Sequence, residues 1–239
     1  MNPQDIERAH IVFDRTYGTS ITIEGKDGLT TKKYTSIDNV QEALLENFQF
    51  ATGFLPAGTR HYVRKDTDEV VFIESPPSIR RVSYYTGSVK EYTIPIPWTI
   101  WSFKVTRGQG NASLTNSMVW AMKGPITPGK EKDHELYVFP FSNVNTNGIC
   151  WGGGRDTDNA LKSIDDISKV GRMIEIFWSA SFNRDLDGDK YSPFENDLGE
   201  KITHCHGLLE YLDGKKSFCY DKLKLYDSLQ NIINKKGGA

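Results

Sequence analysis

Polar and apolar positions alternate through the first part of the chain and recur at helical spacing after its middle. Ala9 to Asp14 and Ser20 to Glu24 are β-rich, and Lys26-Asp27-Gly28 supplies turn chemistry beside them. Asp38 is placed to cap a helix whose apolar positions Val40, Leu44, Leu45, Phe48 and Ala51 follow the 3.6-residue period, and Gly53 and Pro56 end it. Extended segments follow at His61 to Arg64, Val70 to Glu74, Arg80 to Tyr85, Tyr92 to Val105 and Ser117 to Met122. Pro76-Pro77, Thr86-Gly87 and Gly108-Gln109-Gly110 separate them, which predicts an antiparallel meander. Beyond Cys150 the period changes. Leu161, Ile164, Ile167, Val170, Ile174 and Phe177 predict a helix, with Asp156 to Asp158 as its cap. A polar loop, Asn183 to Glu200, interrupts. Ile202, Cys205, Leu209 and Leu212 then mark another helix, and Cys219, Leu223, Tyr226 and Ile233 a last one before a polar tail that starts at Lys235 and is predicted to be disordered.

At 239 residues the chain can bury a substantial core, as one large domain or as a smaller one with an extension. A net charge of -2 gives no reason to expect nucleic acid or an anionic membrane as partner. No apolar run approaches the roughly 20 residues of a membrane span, and Met1-Asn2-Pro3-Gln4-Asp5 has neither the basic start nor the apolar stretch of a signal peptide. Cys150, Cys205 and Cys219 are odd in number and form no CxxC pair, so a reduced, cytoplasmic thiol protein is expected.

Cys150 is the main candidate for chemistry. It leaves an Asn147-Gly148 turn and enters Trp151-Gly152-Gly153-Gly154, an arrangement that holds a thiol at the surface where a second chain can approach. The bland alternative is an inert thiol packed under the glycines. Asn143, seven residues earlier, has the amide that an oxyanion site needs, although asparagines also shape turns through their own backbone, and the residues alone favour that role. His204, Cys205, His206 and Cys219 match no zinc spacing, and both of these cysteines fall on predicted apolar helix faces, which makes them structural. Asn183-Arg184-Asp185-Leu186-Asp187-Gly188-Asp189 matches the first half of a calcium loop. Phe194 then stands where the bidentate glutamate belongs and Glu195 comes one residue late, so tight calcium binding is not expected. Gly152-Gly153-Gly154-Arg155 lacks the Lys-Ser/Thr of a phosphate loop.

The stretch from Phe141 to Trp151 resembles the active-site segment of ubiquitin-conjugating enzymes, in which His-Pro-Asn precedes a glycine turn and a cysteine. More closely, the chain resembles the prokaryotic ubiquitin-conjugating enzyme family D, also called PRTRC system protein B. The motifs that carry this are Phe72-Ile73-Glu74-Ser75-Pro76-Pro77-Ser78-Ile79-Arg80-Arg81, Ile94-Pro95-Ile96-Pro97 leading into Trp101-Ser102-Phe103-Lys104-Val105, Glu135-Leu136-Tyr137, and Glu175-Ile176-Phe177-Trp178-Ser179-Ala180-Ser181-Phe182. The resemblance places the thioester-forming cysteine on Cys150 and the family's asparagine on Asn143. Phe141-Ser142 stands in place of His-Pro, and Asn143 is one residue nearer the cysteine than in eukaryotic members. For the carboxylate that activates an incoming amine, Asp156 and Asp158 are nearby candidates only.

The resemblance implies an α+β, ubiquitin-conjugating-enzyme (UBC)-like fold: an antiparallel meander with flanking helices over residues 60–239, and an N-terminal strand–helix extension over 1–59. It implies a carrier that takes a ubiquitin-like modifier as a thioester on Cys150 from a ThiF-like activating enzyme and passes it to an amine, with a metalloprotease-type deconjugating enzyme as a further partner. No metal or organic cofactor is expected. The alternatives are a catalytically inactive scaffold, suggested by the loss of His-Pro, and a calcium-stabilised binding module using Asp185, Asp187 and Asp189.

Overall fold

The computed structural model describes residues 6–14, 18–26, 30–36, 54–108, 112–152 and 155–236. The chain divides into two compact units, Met1–Gly53 and Phe54–Ala239. In the first, β1 (Ile6–Asp14), β2 (Gly18–Gly25) and β3 (Thr30–Thr35) pair antiparallel in that order. β1 and β2 contain the two predicted strands. β3 has no such expectation behind it, because Thr30-Thr31-Lys32-Lys33-Tyr34-Thr35 lacks an apolar face for a periodicity argument to find. The helix predicted after Asp38 and the turn residues Asp27, Gly28, Gln109 and Gly110 lie outside the described residues.

The second unit opens with β4 (Thr59–Lys65), β5 (Asp68–Ser75), β6 (Ser78–Tyr85), β7 (Val89–Ile96), β8 (Trp98–Arg107) and β9 (Ala112–Met122). With β10 (Glu135–Tyr137) and β13 (Leu225–Ser228), all but β6 and β7 form one antiparallel sheet in the order β13-β10-β9-β8-β5-β4. The segment predicted as one strand from Tyr92 to Val105 is two. Pro97 has no N–H for a ladder and fixes its own φ, so β7 turns back onto β6 while β8 crosses to β5. β5 and the first part of β8 are buried on both faces, which is why their sequences run apolar without alternation.

Four helices follow among the described residues: α1 (Arg155–Lys162), α2 (Arg172–Ser179), α3 (Cys205–Leu212) and α4 (Leu229–Lys236). Side chains of β8 alternate between two cores. Trp101, Phe103 and Val105 join the larger one, with Met173 and Phe177 of α2 and Leu208 and Leu209 of α3. Ile100 joins the smaller, with Phe72, Trp120 and Leu229 and Ile232 of α4. Trp101 is fully buried, donates from its ring N–H to Thr99 Oγ1 at 3.0 Å, and meets the Phe177 ring edge at 5.2 Å. Trp101→Ala is expected to destabilise the protein by about 3–5 kcal/mol, the usual cost of a large core truncation, read as a lower urea midpoint with an unchanged slope.

Two predicted helices are corrected. The stripe from Leu161 to Phe177 is α1, a 3₁₀ turn at Ile167–Lys169, and α2. Asp166 breaks it: its backbone is extended, its carboxylate accepts from the Ser168 N–H at 2.8 Å, and it pairs with Arg107 at 3.0 Å. A short acidic side chain that bonds its own backbone competes with the helix, although the apolar residues on either side are still buried. Asp156 and Asp158 lie inside α1 and not ahead of it. The last predicted helix is a 3₁₀ turn at Tyr220–Lys222, then β13, then α4. Cys219 therefore precedes a turn and is not on a helix face. Lys235, assigned above to the tail, is in α4 and bridges to Asp227 at 2.7 Å.

Candidate functional site

Between β10 and α1 the chain forms a short hairpin from β11 (Val144–Asn145) and β12 (Gly148–Ile149). Its turn is tied internally. Asn145 Oδ1 accepts from the N–H of Asn147 at 2.8 Å and of Gly148 at 3.1 Å, the side-chain-to-backbone bonding that makes asparagine a turn former. Gly148 has φ 151°, and a Cβ there would stand 3.0 Å from the Ser117 carbonyl of β9. Glycine lets the hairpin lie close to the sheet.

Asn143 and Cys150 are the next residues outward on the two arms. The Cys150 N–H donates to the Asn143 carbonyl at 2.7 Å, so the seven-residue spacing is that of two positions facing each other across a hairpin. Cys150 is exposed and Asn143 is buried. Asn143 has φ 64°, a left-handed conformation that asparagine tolerates better than most residues. Its side-chain Nδ2 donates to the Ser181 carbonyl at 3.3 Å, which ties the hairpin to the segment after α2 and leaves the second N–H of that amide unused by this bond.

Neighbouring residues anchor both ends of the hairpin. Trp151 donates from its ring N–H to Ser117 Oγ at 3.0 Å and meets the Phe177 ring at 6.4 Å. Phe141 and Ser142, which stand where the resemblance would place His-Pro, are fully buried. Phe141 packs among Phe139, Trp178 and Phe182, and Ser142 Oγ accepts from the Asn183 N–H at 3.3 Å. Beneath the arm from Phe141 to Val144 lies Lys190, whose Nζ donates to the carbonyls of both those residues. A cavity of about 520 Å³ beside the hairpin is lined in part by Trp120, Phe139, Thr146, Asp189 and Tyr226.

The remaining candidates have other partners. Cys205 is fully buried at the start of α3, and burial pushes its thiol pKa up. Burial also pushes the half-buried Cys219 up, to about 11. A thiol that stays protonated and enclosed reacts slowly. A maleimide or iodoacetamide pulse on the native protein is expected to label Cys150 at least tenfold faster than either; equal labelling, read by peptide mass spectrometry, would count against this. His204 caps α3, its Nδ1 accepting from the Gly207 N–H at 2.9 Å. His206 bonds Tyr92 Oη at 2.6 Å and stacks on the Tyr84 ring at 4.7 Å. In the acidic loop, Asp185 accepts from Asn183 Nδ2 at 2.8 Å. Asp187 accepts from Tyr191 Oη at 2.9 Å and from the Cys205 N–H at 3.2 Å, and Asp189 bridges to Lys224 at 2.8 Å. Among the described residues, no group of three or more His, Cys, Asp or Glu side chains is arranged to hold a metal ion.

Sequence reasoning did not single out Ser117, Trp151 or Lys190 as supports of this hairpin. Asn147-Gly148 signals the hairpin itself, but nothing local to Asp189-Lys190-Tyr191 says that its lysine turns inward.

Fold and site together define a mixed α and β protein that presents one exposed thiol on a hairpin clamped to an antiparallel sheet. The model of the prokaryotic E2 family D matches residues 41–225, a span that contains the whole hairpin, and the chain belongs to that ubiquitin-conjugating-like family. No curated protein and no solved structure gives a significant match. Among the described residues, no helix is long and apolar enough to cross a membrane.

Proposed function

We propose that this chain is a ubiquitin-conjugating-like acyltransferase with a UBC-like fold, whose Cys150 carries a ubiquitin-like modifier as a thioester. The observation that supports this best is the exposed Cys150 facing Asn143 across a hairpin within the family match. In the first step the Cys150 thiolate attacks the thioester carbonyl of the modifier on a ThiF-like activating enzyme. The tetrahedral intermediate collapses, expelling the activating enzyme's thiolate and leaving the modifier on Cys150. In the second, a neutral amine attacks the new thioester, Cys150 leaves as thiolate, and the amine's proton passes to solvent or a nearby base.

The second N–H of the Asn143 amide is the donor for the oxyanion in both steps, while its first stays on Ser181. Phe141 and Ser142 are fully buried, which supports reading the change from His-Pro as a change of core packing. A cytoplasmic setting with reduced thiols, a PRTRC-type gene system and a metalloprotease-type deconjugating partner complete the reading. The test is incubation of the protein with its cognate activating enzyme, modifier and ATP, followed by a non-reducing gel. A shifted band that reductant removes is expected. Its absence with active partners would sink the proposal.

A further inference from the structure

Lys190 closes the 3₁₀ turn Gly188–Tyr191 together with Tyr191, yet it is only 8% exposed, an unusual place for a lysine in an acidic loop. Its Nζ donates to Phe141 O at 3.1 Å and to Val144 O at 2.7 Å. Those carbonyls bracket Ser142-Asn143, and the Asn143 carbonyl in turn holds the Cys150 N–H. One side chain therefore reaches the cysteine arm through two carbonyls and one cross-strand bond. Around it stand Asp187 and Cys205, and the Tyr191 ring centroid is 5.9 Å from Nζ.

We propose that Lys190 is a positioning residue for Cys150, setting the arm from Phe141 to Val144 so that Asn143 and the thiol face each other. This rests on the thioester reading only in what the positioning is for. An apolar side chain of similar length fills the same space and leaves both carbonyls without their donor. The acidic loop, half of a calcium motif by sequence, thus has a task in this structure that requires no ion: it brings a lysine under the cysteine hairpin.

The chemistry gives a pH signature. Burial lowers the Lys190 pKa to about 8 from the ordinary 10.5, against the opposing pull of Cys205 and Asp187. A neutral amine still has two N–H donors for two carbonyls. Opening the hairpin rehydrates the lysine and returns it toward 10.5, so between about pH 8 and 10.5 the open form binds more protons than the closed one. Closure therefore strengthens as pH rises through that window.

The experiment is amide hydrogen exchange at position 150 from pH 7 to 9.5, corrected for intrinsic rates, in Cys150→Ser protein so that no thiol lies beside the amide observed. Protection is expected to rise by roughly tenfold or more over this range, while amides of the distant edge strand β4 stay constant. Adding Lys190→Met is expected to flatten the profile and lower protection at 150 at least tenfold at pH 9. A flat profile in the lysine protein, unchanged protection with methionine, or an equal change in β4 would overturn the proposal. If Lys190→Met does not fold, the profile of the lysine protein decides alone. In single-turnover loading with Cys150 intact, Lys190→Met should be at least tenfold slower. Failure of the Lys190 protein itself to load counts against the thioester reading, and the exchange profile then judges Lys190 separately.

Discussion

Cys150→Ala is expected to abolish the reductant-sensitive adduct completely, and Cys150→Ser to replace it with an adduct that survives reductant and yields only to hydroxide. The serine hydroxyl attacks far more slowly than a thiolate, yet the oxygen ester it forms does not exchange with thiols, so a trapped band accumulates over long incubation. Stability should barely move in either variant, since Cys150 is exposed and its part in the fold is a backbone N–H that every replacement except proline retains. Circular dichroism melts beside the gel make the point checkable. A thiol-sensitive adduct that persists in Cys150→Ala would assign the carrier role to another residue.

Asn143 should produce the second largest effect, and two substitutions separate its duties. The residue has a left-handed backbone and a side-chain amide tied to Ser181. Asn143→Gly keeps the backbone conformation and removes the amide. Asn143→Ala removes the amide and also strains the backbone, since a residue with Cβ and no polar group pays about 1–2 kcal/mol for that conformation. If the amide stabilises the oxyanion, both variants slow discharge of the loaded modifier to an amine, by roughly 10²–10³. Only alanine should lower the melting temperature appreciably below that of glycine. If Asn143 serves the turn alone, discharge should follow stability, and the glycine variant should work nearly as well as the parent. Single-turnover discharge from preloaded protein, measured with thermal melts, distinguishes these results.

Legibility in the sequence follows the range of the interactions. β5 is legible because apolar residues fill it and Pro76 follows it, whereas β6 and β9 are legible only in part, from Arg80 and from Ser117, because polar residues open both strands. α3 is legible because Cys205, Leu209 and Leu212 keep the helical period and are all buried. Pro97 is visible in the sequence, but the apolar residues around it read as one strand until partner choice divides them. Helical spacing misleads between Cys219 and Ile233, where an edge strand with exposed Leu225 and Tyr226 supplies apolar positions that form no buried stripe. At the site, Asn147-Gly148 announces a hairpin, and from the hairpin follows the facing of Asn143 and Cys150. The supports at Ser117, Ser181 and Lys190 come from segments tens of residues away, and no local pattern encodes them.

The pairing of β10 with β13 has a consequence for the order of events on the ribosome. Glu135 and Leu136 of β10 face Ser228 and Asp227, and the Val138 N–H donates to the Lys224 carbonyl, so residues just before the cysteine hairpin are completed by chain made long after it. During translation the thiol at 150 emerges while that side of β10 has no neighbour, and contacts so distant in sequence form late. β10, already beside β9, gains its second neighbour only when synthesis has passed residue 228. The sheet edge that leads into the cysteine arm is thus completed later in synthesis than the contacts to Ser117, Ser181 and Lys190 that hold the hairpin itself.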